Sequence, residues 1–220
     1  MVSLSNVRDF ISFILSPPLC SHCKKKLYER SVFCEDCMAR INPIVSYNLQ
    51  VKPGRVIPVH ALSGYNEFLR PLILSKRSKN AYGCHALAEL MWKRTRFLSM
   101  SCDYLVPIPL HWTRRLTRGF NQAEEMANFL AQKRGVSIAH LLNRSRKTSY
   151  QADVPIQRRE KNVERAFLLS SLIDPALYQG KHLILVDDLM TTGSTLKYAA
   201  QELALLKPAS ISALVGCRAI

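Results

Sequence analysis

The sequence predicts an α/β fold, a parallel sheet flanked by helices, preceded by a small four-cysteine metal-binding module. Three observations carry this. Short continuous apolar runs, such as Leu183, Ile184, Leu185 and Val186, have the length and composition of strands buried on both faces. Segments with apolar residues at i, i+3, i+4 and i+7, such as Leu196, Ala199, Ala200 and Leu203, follow them as one-faced helices. Near the N-terminus, Cys20-x2-Cys23 and Cys34-x2-Cys37 have the spacing of two metal-binding knuckles.

A chain of 220 residues has room for one medium domain and a small appendage, here expected as residues 1–45 and 46–220. The balance of 31 Lys+Arg against 16 Asp+Glu, a formal charge of +15, suits polyanionic partners, either nucleic acid or a phosphorylated ligand. An acidic protein partner would suit the same charge. No stretch reaches the roughly 20 apolar residues that span a bilayer, so membrane insertion is not expected. Residues 10–15 are apolar but short, and Pro17, Pro18 and Leu19 precede Cys20 where a lipoprotein signal needs small residues. A cytoplasmic location is therefore expected, and an odd number of cysteines, seven, fits a reducing compartment.

Residues 4–16 read as a short amphipathic helix that stops at Pro17 and Pro18. Cys20, Cys23, Cys34 and Cys37 then supply four thiolates, enough to close a tetrahedral shell around one Zn²⁺. Disulfides would use the same cysteines, but a reducing compartment disfavours them. His22 lies inside the first knuckle as a further donor, although four cysteines already complete the shell. In so short a segment, folding would rest mainly on metal binding, worth about 10–16 kcal/mol. Lys24, Lys25, Lys26 and Arg30 either touch phosphates or offset the negative charge of four thiolates.

Residues 41–56, with Pro43, Pro53 and Gly54, read as a linker. A strand is expected over 56–65 and helices over 67–75 and 84–98, with Pro71 in the first turn of its helix. A basic loop, Lys76, Arg77, Ser78 and Lys79, joins those helices. A strand over 103–109 leads into a loop carrying Arg114, Arg115, Arg118 and Gly119, then a helix with Ala123, Met126, Ala127 and Leu130 on one face. Three arginines in five residues can hold a pyrophosphate bidentately in front of a helix N-terminus. Residues 139–142, 167–169 and 210–215 read as further strands, and Cys84, Cys102 and Cys217 as packing residues in apolar surroundings. Between 144 and 165 lie seven basic and three acidic residues, a strongly cationic loop.

The most informative stretch is LILVDDLMTTGSTL, residues 183–196. Its apolar run ends in Asp187 and Asp188, and Thr191, Thr192, Gly193, Ser194 and Thr195 open the next helix. Unpaired N–H groups and the helix dipole favour a phosphate at that point. Gly193 lets backbone approach the ligand, and the hydroxyls add neutral donors. The two carboxylates suit ribose hydroxyls or a divalent cation that arrives with a pyrophosphate.

This stretch resembles the phosphoribosyl pyrophosphate (PRPP) motif of type I phosphoribosyltransferases: an apolar strand, two acids, two variable residues and TTGST. Together with PIPLH at 107–111, RGFNQAE at 118–124 and the paired CxxC motifs, it resembles the ComF competence-protein family, which includes relatives described as gluconate-utilisation proteins. The resemblance runs from Cys20 to the C-terminus. It implies a type I phosphoribosyltransferase fold behind a zinc finger and a part in the uptake of transforming DNA. PRPP with Mg²⁺ would bind Asp187, Asp188 and residues 191–195. Residues 109–120, with Arg114, Arg115, Arg118 and Gly119, would match the pyrophosphate loop. Gln151, Arg158, Arg159 and Asn162 would lie on a flexible loop that closes over the bound sugar and excludes water.

Three functions fit these residues. One is a phosphoribosyltransferase with an unknown acceptor, since the arginines, carboxylates and phosphate loop cover the parts such chemistry needs. A second is a binder of single-stranded DNA, with Trp112, Phe120 and Tyr150 beside basic loops offering stacking surfaces. The third is an adaptor whose zinc module docks a DNA-uptake helicase or another competence protein. The expectation taken forward is a role in DNA uptake with a PRPP-binding site.

Overall fold

Residues 18–29, 31–42, 44–74, 81–111, 119–144 and 166–219 are described in the computed structural model. The chain divides into two units, residues 1–42 and 43–220.

In the first unit, Leu19 and Lys26 form an antiparallel bridge around the first knuckle, and α1 (Glu35–Ala39) carries Cys37. Leu27, Val32, Phe33 and Ile41 are buried there beside Cys20 and Cys37. Among the described residues of the unit, so small an apolar core leaves residues 18–42 dependent on whatever ties the cysteines together.

The second unit is built on a six-stranded sheet. Its strands in chain order are β1 (Ile44–Lys52), β2 (Arg55–Gly64), β3 (Tyr104–Pro107), β4 (Ser137–Ile138), β7 (His182–Met190) and β8 (Ser210–Arg218). Across the sheet they lie in the order β1-β2-β8-β7-β3-β4. All neighbours are parallel except β1 and β2, which form an antiparallel hairpin. A separate antiparallel pair, β5 (Leu142–Arg144) and β6 (Phe167–Leu169), brackets residues 145–166. The helices are α2 (Arg70–Leu74), α3 (Tyr82–Arg94), α4 (Gln122–Arg134) and α5 (Ser194–Leu203).

Strand direction and order together locate the functional edge. From β3 the chain crosses through α4 to β4 on one side, whereas from β7 it crosses through α5 to β8 on the other. Because parallel crossovers are right-handed, the two helices cover opposite faces of the sheet. The reversal opens a crevice outside the carboxyl ends of β3 and β7, where open α/β sheets bind ligands. Both chain segments read above as phosphate-binding loops leave the sheet there.

The apolar pattern explains the packing. Leu183 and Leu185 of β7 and Ala213 and Val215 of β8 join Leu196, Ala199, Ala200 and Leu203 of α5 in one buried cluster. The alternate positions, Ile184, Val186 and Leu214, are also fully buried, as expected for strands covered on both faces. Gly216 meets α3: a Cβ built there would lie 2.4 Å from Leu87 Cδ2. On α4, the expected stripe of Ala123, Met126, Ala127 and Leu130 is buried.

Three expectations are corrected. The presumed linker 41–56 is mostly β1, which pairs with β2 across a turn at Pro53 and Gly54. Pro53 and Gly54 mark the hairpin turn, where Gly54 has φ +73°, and the division between the two units falls at Asn42 and Pro43. Residues 139–142 are not one strand: Ser137 and Ile138 pair with β3, and Leu142 opens β5 in the other sheet. Finally, Asp187 and Asp188 do not end their strand, because β7 continues through them to Met190 and pairs with β8 as far as Arg218. Acidic residues tolerate a strand end when its neighbour holds the register. The expected N-terminal helix, residues 4–16, and the basic residues 76–79 lie outside the described residues. Among the described residues no helix is long and apolar enough to cross a membrane.

Candidate phosphate-binding site and metal centre

At the carboxyl end of β7, Asp187, Met190, Thr191, Gly193, Ser194 and Thr195 line one shallow hollow. The structure therefore places Asp187 beside the polar loop, whereas Asp188 and Thr192 do not line the hollow. Asp187 and Asp188 are half-buried, and Asp187 Oδ1 accepts the Asp188 N–H at 2.9 Å. Thr192 Oγ1 and Ser194 Oγ lie 2.8 Å apart, and the Ser194 N–H points to Thr192 Oγ1 at 3.4 Å. These contacts tighten the loop at the start of α5.

Gly193 is the N-cap of α5, with φ +80° and ψ −2°. A Cβ there would sit 2.8 Å from Leu49 Cδ1 and 3.2 Å from Met190 Cε. The left-handed backbone favours glycine, and a side chain here would also have to displace the tip of Leu49. Gly193→Ala is expected to lower stability by about 1–2 kcal/mol through the backbone conformation alone, with the Leu49 collision added to it. Chemical denaturation measures the loss, and an unchanged midpoint would show that the loop relaxes freely. No sequence pattern points to Leu49, because it reaches the loop from a strand about 140 residues earlier.

The second loop leaves β3. Arg114, Arg115 and Arg118 lie outside the described residues, whereas Gly119 is exposed with φ +82°. Its two ends are joined by Asn121, a residue not singled out as functional from the sequence. The Asn121 Nδ2 donates to Ile108 O at 3.0 Å, and its Oδ1 caps α4 by accepting from Ala123 N at 3.2 Å. Glu124 and Glu125 in the first turn of α4 complement the helix dipole and oppose an anion at that helix end. Gln151, Arg158, Arg159 and Asn162 also lie outside the described residues.

In the N-terminal unit the sulfur atoms of Cys20, Cys23, Cys34 and Cys37 all lie within 4.8 Å of one another, the Cys23–Cys34 pair at 3.6 Å. Four thiolates around a tetrahedral Zn²⁺ with Zn–S near 2.3 Å would be separated by roughly 3.8 Å. All seven cysteines are free thiols, and 3.6 Å is far beyond the ~2.05 Å of a disulfide. The donor set thus fits a structural zinc ion.

Local backbone builds the cluster. Cys20 N donates to Lys25 O and Lys24 N to Cys20 O, closing a tight turn in which Lys24 takes φ +61°. Cys34 is the N-cap of α1, and Cys37 follows one turn later on the same side. His22 Nδ1 lies 3.7 Å from Cys37 Sγ, beside the cluster.

Burial pushes the Cys20 thiol up, but the backbone N–H groups of Cys34, Cys23 and His22 outweigh it and bring it down to about 6. Burial and the three neighbouring sulfurs push Cys37 up to about 12. One thiolate forms readily and the last resists, as expected when negative charges gather without a cation. A bound Zn²⁺ removes that resistance. Elsewhere, burial raises Cys102 to about 11 and Cys217 to about 12, so both are unreactive thiols. Cys217 and Cys84 are buried, while Cys102 is only half-buried.

The geometry agrees with what the chain is similar to. Residues 116–219 match the phosphoribosyl transferase domain family. The DNA utilization protein YhgH of Salmonella typhimurium is 29% identical over 216 residues, covering 92% of this chain and 91% of the relative. Competence protein F of Haemophilus influenzae is 28% identical over 83% of this chain and 77% of its own length. Competence protein ComFC of Bacillus subtilis is 38% identical over 100 residues, 44% of this chain and 36% of the relative. The chain is a homologue of competence proteins F and ComFC in which a four-cysteine module precedes a phosphoribosyl transferase domain.

Proposed function

We propose that the protein binds PRPP with Mg²⁺ and serves in DNA uptake, handling imported single-stranded DNA. The observation that carries the PRPP reading is the hollow shared by Asp187, Thr191, Gly193, Ser194 and Thr195 at the switch point of the sheet. In this reading the loop's N–H groups and hydroxyls take the 5′-phosphate, and Asp187 and Asp188 take the ribose hydroxyls. Mg²⁺ would neutralise the pyrophosphate, which Arg114, Arg115 and Arg118 also contact. Gln151, Arg158, Arg159 and Asn162 would close over the sugar.

The role in DNA uptake is supported by relatives named for competence and DNA utilization. A charge of +15 and arginine-rich loops beside Phe120 suit a strand held by its backbone with little sequence preference. A helicase or other competence protein docking on the zinc module is the partner this role would call for.

Isothermal calorimetry with PRPP and Mg²⁺ tests the site. Asp187→Asn with Asp188→Asn is expected to weaken binding, and Thr192→Val to cost about 1–3 kcal/mol through one lost hydroxyl. Unchanged affinity in both variants would place the ligand elsewhere. Turnover is read separately: release of pyrophosphate from PRPP in the presence of an acceptor marks a transferase, and binding without release marks a ligand-responsive DNA-handling protein.

A further inference from the structure

Arg218 closes β8 at the same sheet edge as the phosphate loop. Its Cα is the register partner of Met190, the residue immediately before Thr191. The backbone is held on both sides: Tyr65 N donates to Arg218 O and Ala219 N to Met190 O, each at 2.8 Å. The guanidinium lies over the Tyr47 ring, 3.8 Å from its centroid. Among the described residues no carboxylate or carbonyl accepts a hydrogen bond from it, so five N–H groups are oriented by an aromatic face and left for another acceptor.

Tyr47 connects this cation to the loop. Tyr47 and Leu49 are two residues apart on β1, both turned into the same apolar cluster, and Leu49 packs against Gly193. The strand is tied to the helix behind the loop by Gln201 Nε2, which donates to Val51 O at 2.6 Å. Arg218 and Tyr47 therefore flank a loop whose own donors are backbone amides and hydroxyls, all neutral.

We propose that Arg218, oriented by Tyr47, is the charged ligand of the phosphate held by residues 191–195. The inference rests on the PRPP reading and adds to it a specific residue for the phosphate end of the ligand. It predicts that the two ends of PRPP depend on different cations: the 5′-phosphate on Arg218, the pyrophosphate on the arginines after β3. Charge-assisted contacts to phosphate also make that half of the affinity fall with salt.

The test titrates the full chain with ribose 5-phosphate and, separately, with magnesium pyrophosphate. Arg218→Ala is expected to weaken ribose 5-phosphate roughly ten- to hundredfold while leaving pyrophosphate unchanged. Arg218→Lys should retain part of the affinity, and Tyr47→Leu should lose part of it while Tyr47→Phe keeps it. Amide exchange of β7 and β8 confirms that the variants keep the sheet. If Thr192→Val loses ribose 5-phosphate but Arg218→Ala does not, the loop reading stands and the role of Arg218 is overturned. If neither substitution matters, the PRPP reading falls with it. Equal losses for both ligands would also overturn the proposal, since a general electrostatic effect would then explain them.

Discussion

Removing zinc from the full chain with a strong chelator is expected to unfold residues 18–42 and leave the sheet domain intact. Among the described residues, 18–42 bury few apolar side chains beyond Cys20 and Cys37 themselves, so packing among them offsets little of the entropy of ordering them. A structural zinc ion contributes about 10–16 kcal/mol in zinc-finger peptides. Cys37→Ser should do the same, because it removes a buried donor next to Cys20, Cys23 and Cys34. Hydrogen exchange makes the comparison within one sample. Amides of Leu27 and Met38, which bond to Pro18 O and Cys34 O, should lose protection, whereas those of β7 and β8 should keep it. Elemental analysis should find one zinc per chain in untreated protein. Protection that survives both the chelator and the serine substitution would show that the cysteine cluster is not what holds the unit.

Gly216→Val is expected to have the largest effect among substitutions in the sheet domain. A Cβ at this position would meet Leu87 Cδ2 at 2.4 Å and Asp188 O at 2.8 Å. Leu87 is itself buried between α3 and the sheet, and the carbonyl belongs to a strand paired on both edges, so neither neighbour can move cheaply. Overpacking in such a core costs about 1–3 kcal/mol, and valine's two methyl groups place this case at the upper end. The displaced atom is the backbone of Asp188, so the damage reaches the carboxylate pair. Affinity for PRPP should drop even in conditions where the variant remains folded. Adding Leu87→Ala should recover part of the stability, because it clears the side chain, and none of the strain against the carbonyl. A Gly216→Val protein as stable as the wild type would mean that α3 does not pack where the structure places it.

Much of the candidate site was readable because it is local. The apolar strand, the acid pair, the Thr-Thr-Gly-Ser-Thr turn and the amphipathic helix occupy fourteen consecutive residues, and the chemistry of a phosphate loop depends on neighbours in sequence. The cysteine cluster is nearly as local, since two knuckles ten residues apart need only one turn and one short helix to meet. The alternation on α4 and α5 likewise announced its buried face in advance.

What only the tertiary structure decided involves residues far apart in the chain. Residues 41–56 looked like a linker because prolines and a glycine punctuate them, yet pairing with β2 overrides local propensity and makes β1 an edge strand. Asp187 and Asp188 looked like a strand terminus because carboxylates resist burial, yet the register with β8 carries β7 past them. The switch point between β3 and β7, the Leu49 contact that crowds Gly193, and the Arg218–Tyr47 pair all arise from strand order. Hydrophobic period reports which face of an element is buried, and says nothing about which element buries it.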